Sequence, residues 1–367
     1  MWFQRMELED WFDTYQYEIE YDIGESAVKT LGVRHLDIDL NDILLRYGYH
    51  KGRPDLREII ALSYPGLSPE HIIVTTGASE ANFVIAASLI KPGDHVIVEH
   101  PNYPSNYEVP RSLGCNVDLY TLKYDNKFRP IGEEIKEKIT PQTKLISLTH
   151  PNNPTGSKIS SGELQKIIDM AESKDIYILF DETYRDMDFK DPLPPAATLS
   201  PKVISISSLS KSYGLPGLRT GWLATLDQNV LNTALAVREQ VSIANNALSE
   251  EIASRVLTEK KRFVDKAKQR IEKNRGIAAD WINQQENFEW IYPEAGVVGF
   301  PRIKGQMAID PERLYRLLAN KYKTFVVPGR CFEMDPTHFR LGFGGEPEKI
   351  KIGLNNLNKA LAELTAS

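Results

Sequence analysis

The chain has 367 residues, with 44 Lys plus Arg against 50 Asp plus Glu for a formal charge of −6, and 41% of its residues are hydrophobic. That is ordinary globular composition with room for about two domains, and its acidic balance argues against a nucleic-acid binder. Two cysteines (Cys115 and Cys331), seven histidines without zinc-protease spacing, no apolar run of the ~18 residues that span a bilayer and an acidic, aromatic start argue against a disulfide framework, a metal centre, a membrane segment and a signal peptide; a cytoplasmic enzyme is the expectation.

The first 45 or so residues lack regular alternation and are expected to pack as an arm on the C-terminal part. Short apolar, β-branched runs then recur at 71–76, 95–99, 117–122, 144–149, 176–180, 203–207 and 220–225, with helix-like stretches such as 79–90 and 161–173 between them. Strands alternating with helices predict an α/β fold with a mainly parallel seven-stranded sheet. The run 176–180 is apolar at nearly every position, as a strand buried on both faces requires. Residues 228–285 carry helical spacing, 289–301 and 324–343 hold short strands, and 350–364 reads as a closing helix. The expected division is an arm over 1–45, a large domain over 46–240 and a smaller α+β domain over 241–367.

Ligands bind at the carboxyl ends of parallel strands, and unusual residues recur there. The first run ends Thr75-Thr76-Gly77-Ala78-Ser79-Glu80, where small residues would expose helix N-terminal N–H groups to a phosphate; an ordinary tight turn looks the same. The fourth ends Pro151-Asn152-Asn153-Pro154, which either aims an Asn at a ligand or simply turns. The fifth ends Asp181-Glu182-Thr183-Tyr184. A carboxylate there needs a cation, such as a protonated pyridine nitrogen, or serves as a helix cap. Next come Ser208, Ser210, Lys211 and, eight residues on, Arg219. The serines and Arg219 suit an anion. Nearby cations are expected to lower the pKa of Lys211, as a nucleophilic lysine requires.

The ordered set Tyr103, Asn153, Asp181, Tyr184, Lys211 and Arg219 resembles the fold-type-I pyridoxal-phosphate (PLP) enzymes of the class I/II aminotransferase superfamily over nearly the whole chain. The resemblance implies that Lys211 bonds the cofactor and moves protons. Asp181 pairs with the ring nitrogen, Tyr184 and Asn153 with the ring O3′, and Tyr103 stacks on the ring. Gly77, Ala78, Ser79, Ser208 and Arg219 form the phosphate cup. Tyr47 matches a tyrosine that reaches the partner subunit's phosphate, which implies a homodimer with shared sites. Arg340 matches the arginine that clamps the substrate α-carboxylate, with Gly24 also at the substrate.

A narrower resemblance, carried by Leu8-Glu9-Asp10-Trp11-Phe12, Tyr21-Asp22-Ile23-Gly24-Glu25-Ser26 and Arg340-Leu341-Gly342-Phe343-Gly344-Gly345, is to capreomycidine synthase-like cyclases. It implies a dehydrating cyclisation of a hydroxylated L-arginine: capreomycidine from 3-hydroxyarginine, or enduracididine from 4-hydroxyarginine. His150-Pro151-Asn152-Asn153 and Tyr184 depart from that pattern and follow the aminotransferases, which leans the reading toward an enduracididine-forming relative. A guanidinium needs a carboxylate. Glu9, Asp10, Glu25, Asp186 and Asp188 are the candidates, with Glu9 and Asp188 preferred. An aminotransferase for an aromatic, basic or histidinol-phosphate-like substrate is the alternative. A catalytically inert regulatory domain is the third reading, and the retained Lys211, Asp181 and Arg219 speak against it.

Overall fold

Alternation along the buried strands decides the architecture. In the computed structural model, which describes residues 3–304 and 309–366, a short strand β1 (Tyr21–Asp22) precedes the seven strands of one sheet. These are β2 (Ile72–Thr75), β3 (His95–His100), β4 (Asn116–Thr121), β5 (Thr143–Thr149), β6 (Tyr177–Asp181), β7 (Val203–Ser208) and β8 (Gly221–Ala224). Ile73, Val98, Leu145, Leu179, Ile206 and Leu223 face one apolar cluster. Their strand neighbours Val74, Ile97, Ile146, Phe180, Val203 and Trp222 face another. The period of two thus puts helices on both faces.

The spatial order is β2-β8-β7-β6-β5-β3-β4, and β8 alone runs against its neighbours. The carboxyl ends of β2, β5, β6 and β7 therefore share one edge. Because Gly221 pairs with both Thr75 and Ser208, β8 starts at that same edge, and this delivers Arg219 to the strand ends. The helix Gly77–Leu89 leaves β2 and packs against the helix Gln228–Glu239.

The C-terminal part is built from small sheets. β9 (Phe288–Glu289) pairs with β11 (Arg302–Ile303); β10 (Val298–Gly299), β14 (Phe339–Gly342) and β13 (Val327–Pro328) form an antiparallel trio. The helices Lys260–Asn283 and Pro347–Ala366 pack on each other. The N-terminal arm joins this part: β1 pairs in parallel with β12 (Thr324–Phe325). The helix Glu7–Tyr15 is fastened by Trp11, whose indole N–H donates to Val326 O at 2.9 Å, and by an ion pair between Glu7 and Arg330. Among the described residues no helix is long and apolar enough to cross a membrane.

Candidate active site

A cavity of about 400 Å³ opens over the strand ends. Its floor carries Asp181 from β6, Ser208 from β7, and Lys211 and Arg219 from the loop into β8; Ala78 and Ser79 enter from the Gly77 helix, and Arg340 from β14. The helix Glu7–Tyr15 roofs it with Leu8, Glu9, Phe12 and Asp13.

One end is made for an anion. Gly77 has φ +79°, and a Cβ there would lie 2.6 Å from Arg219 Nη2, so only glycine lets that guanidinium reach the helix start. The first N–H groups of that helix have no intrahelical acceptor, and Ser208 and Ser210 bring hydroxyls to the same wall. Gly77 itself lies behind Arg219 rather than on the cavity surface.

At the other end Asp181 accepts the Thr183 backbone N–H at 2.9 Å. Burial raises its pKa above the usual carboxylate range, so a cationic ring nitrogen would restore its charged form. Tyr103 stands on the wall with its hydroxyl on Glu9 Oε1 at 2.9 Å. An anion cup, a carboxylate for a protonated nitrogen, an aromatic wall and a primary amine fit PLP.

Lys211 departs from expectation. Its Nζ donates to Glu25 Oε1 and to Ser26 Oγ, each at 3.1 Å. Burial disfavours the ammonium, but the Glu25 carboxylate and the Tyr184 hydroxyl together outweigh it and the lysine pKa is raised, not lowered. Burial likewise opposes ionised Glu25, but Lys211 and Arg340 prevail and hold its pKa down. The cations are near Lys211 in sequence, whereas the anion that decides its charge comes from the distant arm.

Arg340 is almost wholly buried. It donates from Nε to Gly24 O at 2.9 Å and from Nη1 to Asn153 Oδ1 at 3.2 Å. Gly24 therefore lies behind Arg340 as its brace and not on the cavity wall, while Asn153 keeps its amide N–H groups to donate. The Tyr184 hydroxyl donates to Ser26 O at 3.0 Å.

Two of the expected site residues lie outside this cavity, one of them, Tyr47, expected at the partner subunit's cavity and not at its own. Asp188 is buried elsewhere, with Lys158 Nζ 2.6 Å from Oδ2; the short turn Arg185–Met187 swings the chain away after Tyr184. Asp188 is withdrawn as a guanidinium contact. Tyr47 is 83% exposed and outside the cavity of its own chain. Of the other carboxylate candidates, Asp10 pairs with Arg5 at 3.1 Å, and Asp186 is taken by Lys260 at 2.7 Å and the Tyr213 hydroxyl at 2.6 Å.

Asp13, Gln16 and Ser26 line the cavity and were not foreseen. Their signal was available in part: Glu9, Phe12, Asp13 and Gln16 recur at helical spacing on one face, with Leu8 and Trp11 buried between them.

The model of the family "Aminotransferase class I and II" matches residues 16–357. The chain belongs to that family. PLP is accordingly its cofactor. Among its relatives, capreomycidine synthase from Streptomyces vinaceus is 28% identical over 96% of this chain and 93% of its own. Among solved structures, a PLP-dependent aminotransferase from Streptococcus suis aligns with a TM-score of 0.93 and 30% identity over 99% of both chains. The PLP-dependent cyclase OrfR aligns with a TM-score of 0.89 and 25% identity, over 99% of this chain and 98% of its own. The family membership and these matches agree with a fold-type-I PLP enzyme.

Proposed function

We propose that this family member is a cyclodehydratase: it takes a hydroxylated L-arginine, removes water and closes a guanidine nitrogen onto the side chain, giving a cyclic guanidino amino acid. The observation that carries the reading is the roof. The helix Glu7–Tyr15 brings the carboxylate of Glu9 into the same cavity as the buried Arg340, with Asp13, itself paired with Arg5 at 2.6 Å, beside it. A substrate whose carboxylate lies on Arg340 in a bidentate fork then extends its cationic end toward acids. The similarity to capreomycidine synthase over 96% of the chain and to the cyclase OrfR over 99% supports it.

When bound, the cofactor supplies the electron sink that acidifies the bond to hydrogen beside the amino group. The chain's own residues do the rest. Lys211 takes and returns the Cα proton. Asp181 keeps a positive ring nitrogen paired. Arg340 fixes the carboxylate, and Glu9 holds the guanidinium so that ring closure is intramolecular. Attack at Cβ gives the six-membered capreomycidine ring and attack at Cγ the five-membered enduracididine ring; the aminotransferase-like Asn153 and Tyr184 favour the second. A homodimer is part of the proposal: Leu44, Leu45, Tyr47 and Tyr49 are 63–83% exposed on one segment, a surface suited to a second copy whose phosphate cup Tyr47 would complete.

The test is incubation with 3- and 4-hydroxyarginine without a keto acid. A product lighter by one water is expected. Turnover that requires a keto acid and transfers the amino group would establish the second reading, an aminotransferase, which the 30% identity to the S. suis aminotransferase favours.

A further inference from the structure

We propose that Glu25 is a second proton-transfer residue, which relays protons between Lys211 and the hydroxyl and guanidine groups of the substrate. This rests on the cyclodehydratase reading. Moving an amino group between an amino acid and a keto acid needs one mobile base at Cα. Dehydrative cyclisation makes two further demands: hydroxide must leave as water, and the guanidinium must lose a proton as it attacks.

The placement of Glu25 meets those demands. Its side chain lines the cavity, with Oε1 on Lys211 Nζ at 3.1 Å and Oε2 within 3.4 Å of Gln16 Nε2, just past the roofing helix. The backbone holding it is fixed on two sides. Asp22 Oδ1 accepts the N–H groups of Gly24 and Glu25, both at 2.9 Å. The Glu25 carbonyl lies so close to Gly342 that a Cβ there would be 2.1 Å from its oxygen. Glu25 is also one residue from Gly24, which braces Arg340, so the carboxylate stands at the Cα end of a substrate anchored on Arg340. Glu9 stands on the roof, so guanidinium binding and proton relay fall to different acids.

The steps balance for a β-hydroxyl. Lys211 takes the Cα proton, and the pair left by the C–H bond forms the Cα–Cβ double bond as the Cβ–O bond breaks. The new ammonium passes its proton across the hydrogen bond to Glu25, which starts ionised. Glu25 gives that proton to the departing oxygen, and water leaves. A guanidinium nitrogen then bonds to Cβ; its proton goes to Glu25, on to Lys211, and finally to Cα. The net change is the loss of one water, with no oxidant or acceptor. For a γ-hydroxyl the same relay also removes and returns a Cβ proton.

The test compares holoenzymes carrying Glu25→Gln and Glu25→Asp with the wild type in three measurements. Cyclisation of each hydroxyarginine should fall about 10²-fold or more in Glu25→Gln, while deuterium exchange at Cα in D₂O falls far less. Glu25→Asp should recover part of the cyclisation. The pH midpoint of the cofactor's visible absorbance, which reports the charge beside Lys211 with no substrate present, should drop by about one unit or more in Glu25→Gln. Equal losses of exchange and cyclisation with an unmoved midpoint would mean a structural role and overturn the proposal. Wild-type cyclisation in Glu25→Gln would overturn it while leaving the cyclodehydratase reading intact. A wild type that never forms the dehydrated product overturns both.

Discussion

The hydroxyl of Tyr103 donates to Glu9 at 2.9 Å, so the aromatic wall of the cofactor site and the roof of the substrate site are joined by one hydrogen bond. A change at Glu9 is therefore felt at Tyr103, and under the proposed function the residue that selects the substrate side chain also steadies the ring wall.

Glu9→Ala should raise KM for guanidino substrates by about tenfold or more, the size expected on losing a charged hydrogen bond, and should change KM for simple amino acids much less. Steady-state kinetics on the two substrate classes measures this. Equal increases would remove Glu9 from guanidinium recognition.

Gly77→Ala should weaken the hold on PLP. The position has φ +79° and no room beside Arg219 Nη2, and strain of this kind costs roughly 1–3 kcal/mol. PLP titration followed by absorbance should give a Kd at least about fivefold above wild type. An unchanged Kd would show that the phosphate cup does not depend on this close approach.

Lys158→Met should destabilise the fold without changing substrate preference. It would strand the buried Asp188 carboxylate, which Lys158 approaches to 2.6 Å, at a cost on the order of 3 kcal/mol. Thermal unfolding measures the loss. A selective rise of KM for guanidino substrates in Asp188→Asn would return Asp188 to the substrate site.

Glu99 should make stability fall as pH rises. It is buried in β3, accepts the Thr149 N–H at 2.7 Å and an Asn152 N–H at 3.3 Å, and burial pushes its pKa up to about 7. The folded state then binds more protons than the unfolded state between about pH 4.5 and 7. Its stabilising contribution is complete below that window and is lost as pH climbs through it, by up to about 3 kcal/mol. Glu99→Gln should flatten this decline, so unfolding midpoints of the two proteins should diverge in favour of Gln between pH 5 and 8. Parallel curves would mean that Glu99 does not titrate in this range.

The sheet was legible because β-strands buried on both faces leave apolar runs, and the shared cavity of Asp181, Ser208, Lys211 and Arg219 because they recur at strand ends in a set order. Asp181, Lys211 and Arg219 needed only their own neighbours to be noticed. Asp188 was misread because the direction of the chain after Tyr184 depends on a short turn and on Lys158, 30 residues away. The charge of Lys211 was misjudged for a related reason. Its decisive neighbour Glu25 is 186 residues earlier and arrives only because β1 joins β12 and draws the arm across the site. Contacts between distant segments leave no local signal.

The bond from Arg340 to the Gly24 carbonyl also orders events in time. A chain emerging from the ribosome completes β2 to β8, and with them the floor of the cavity, well before Arg340 is made. Glu9 and Gly24, far earlier in the chain, must wait for β14 before the cavity between arm and sheet is complete. Folding of the sheet and closure of the cavity by the arm are thus separable events.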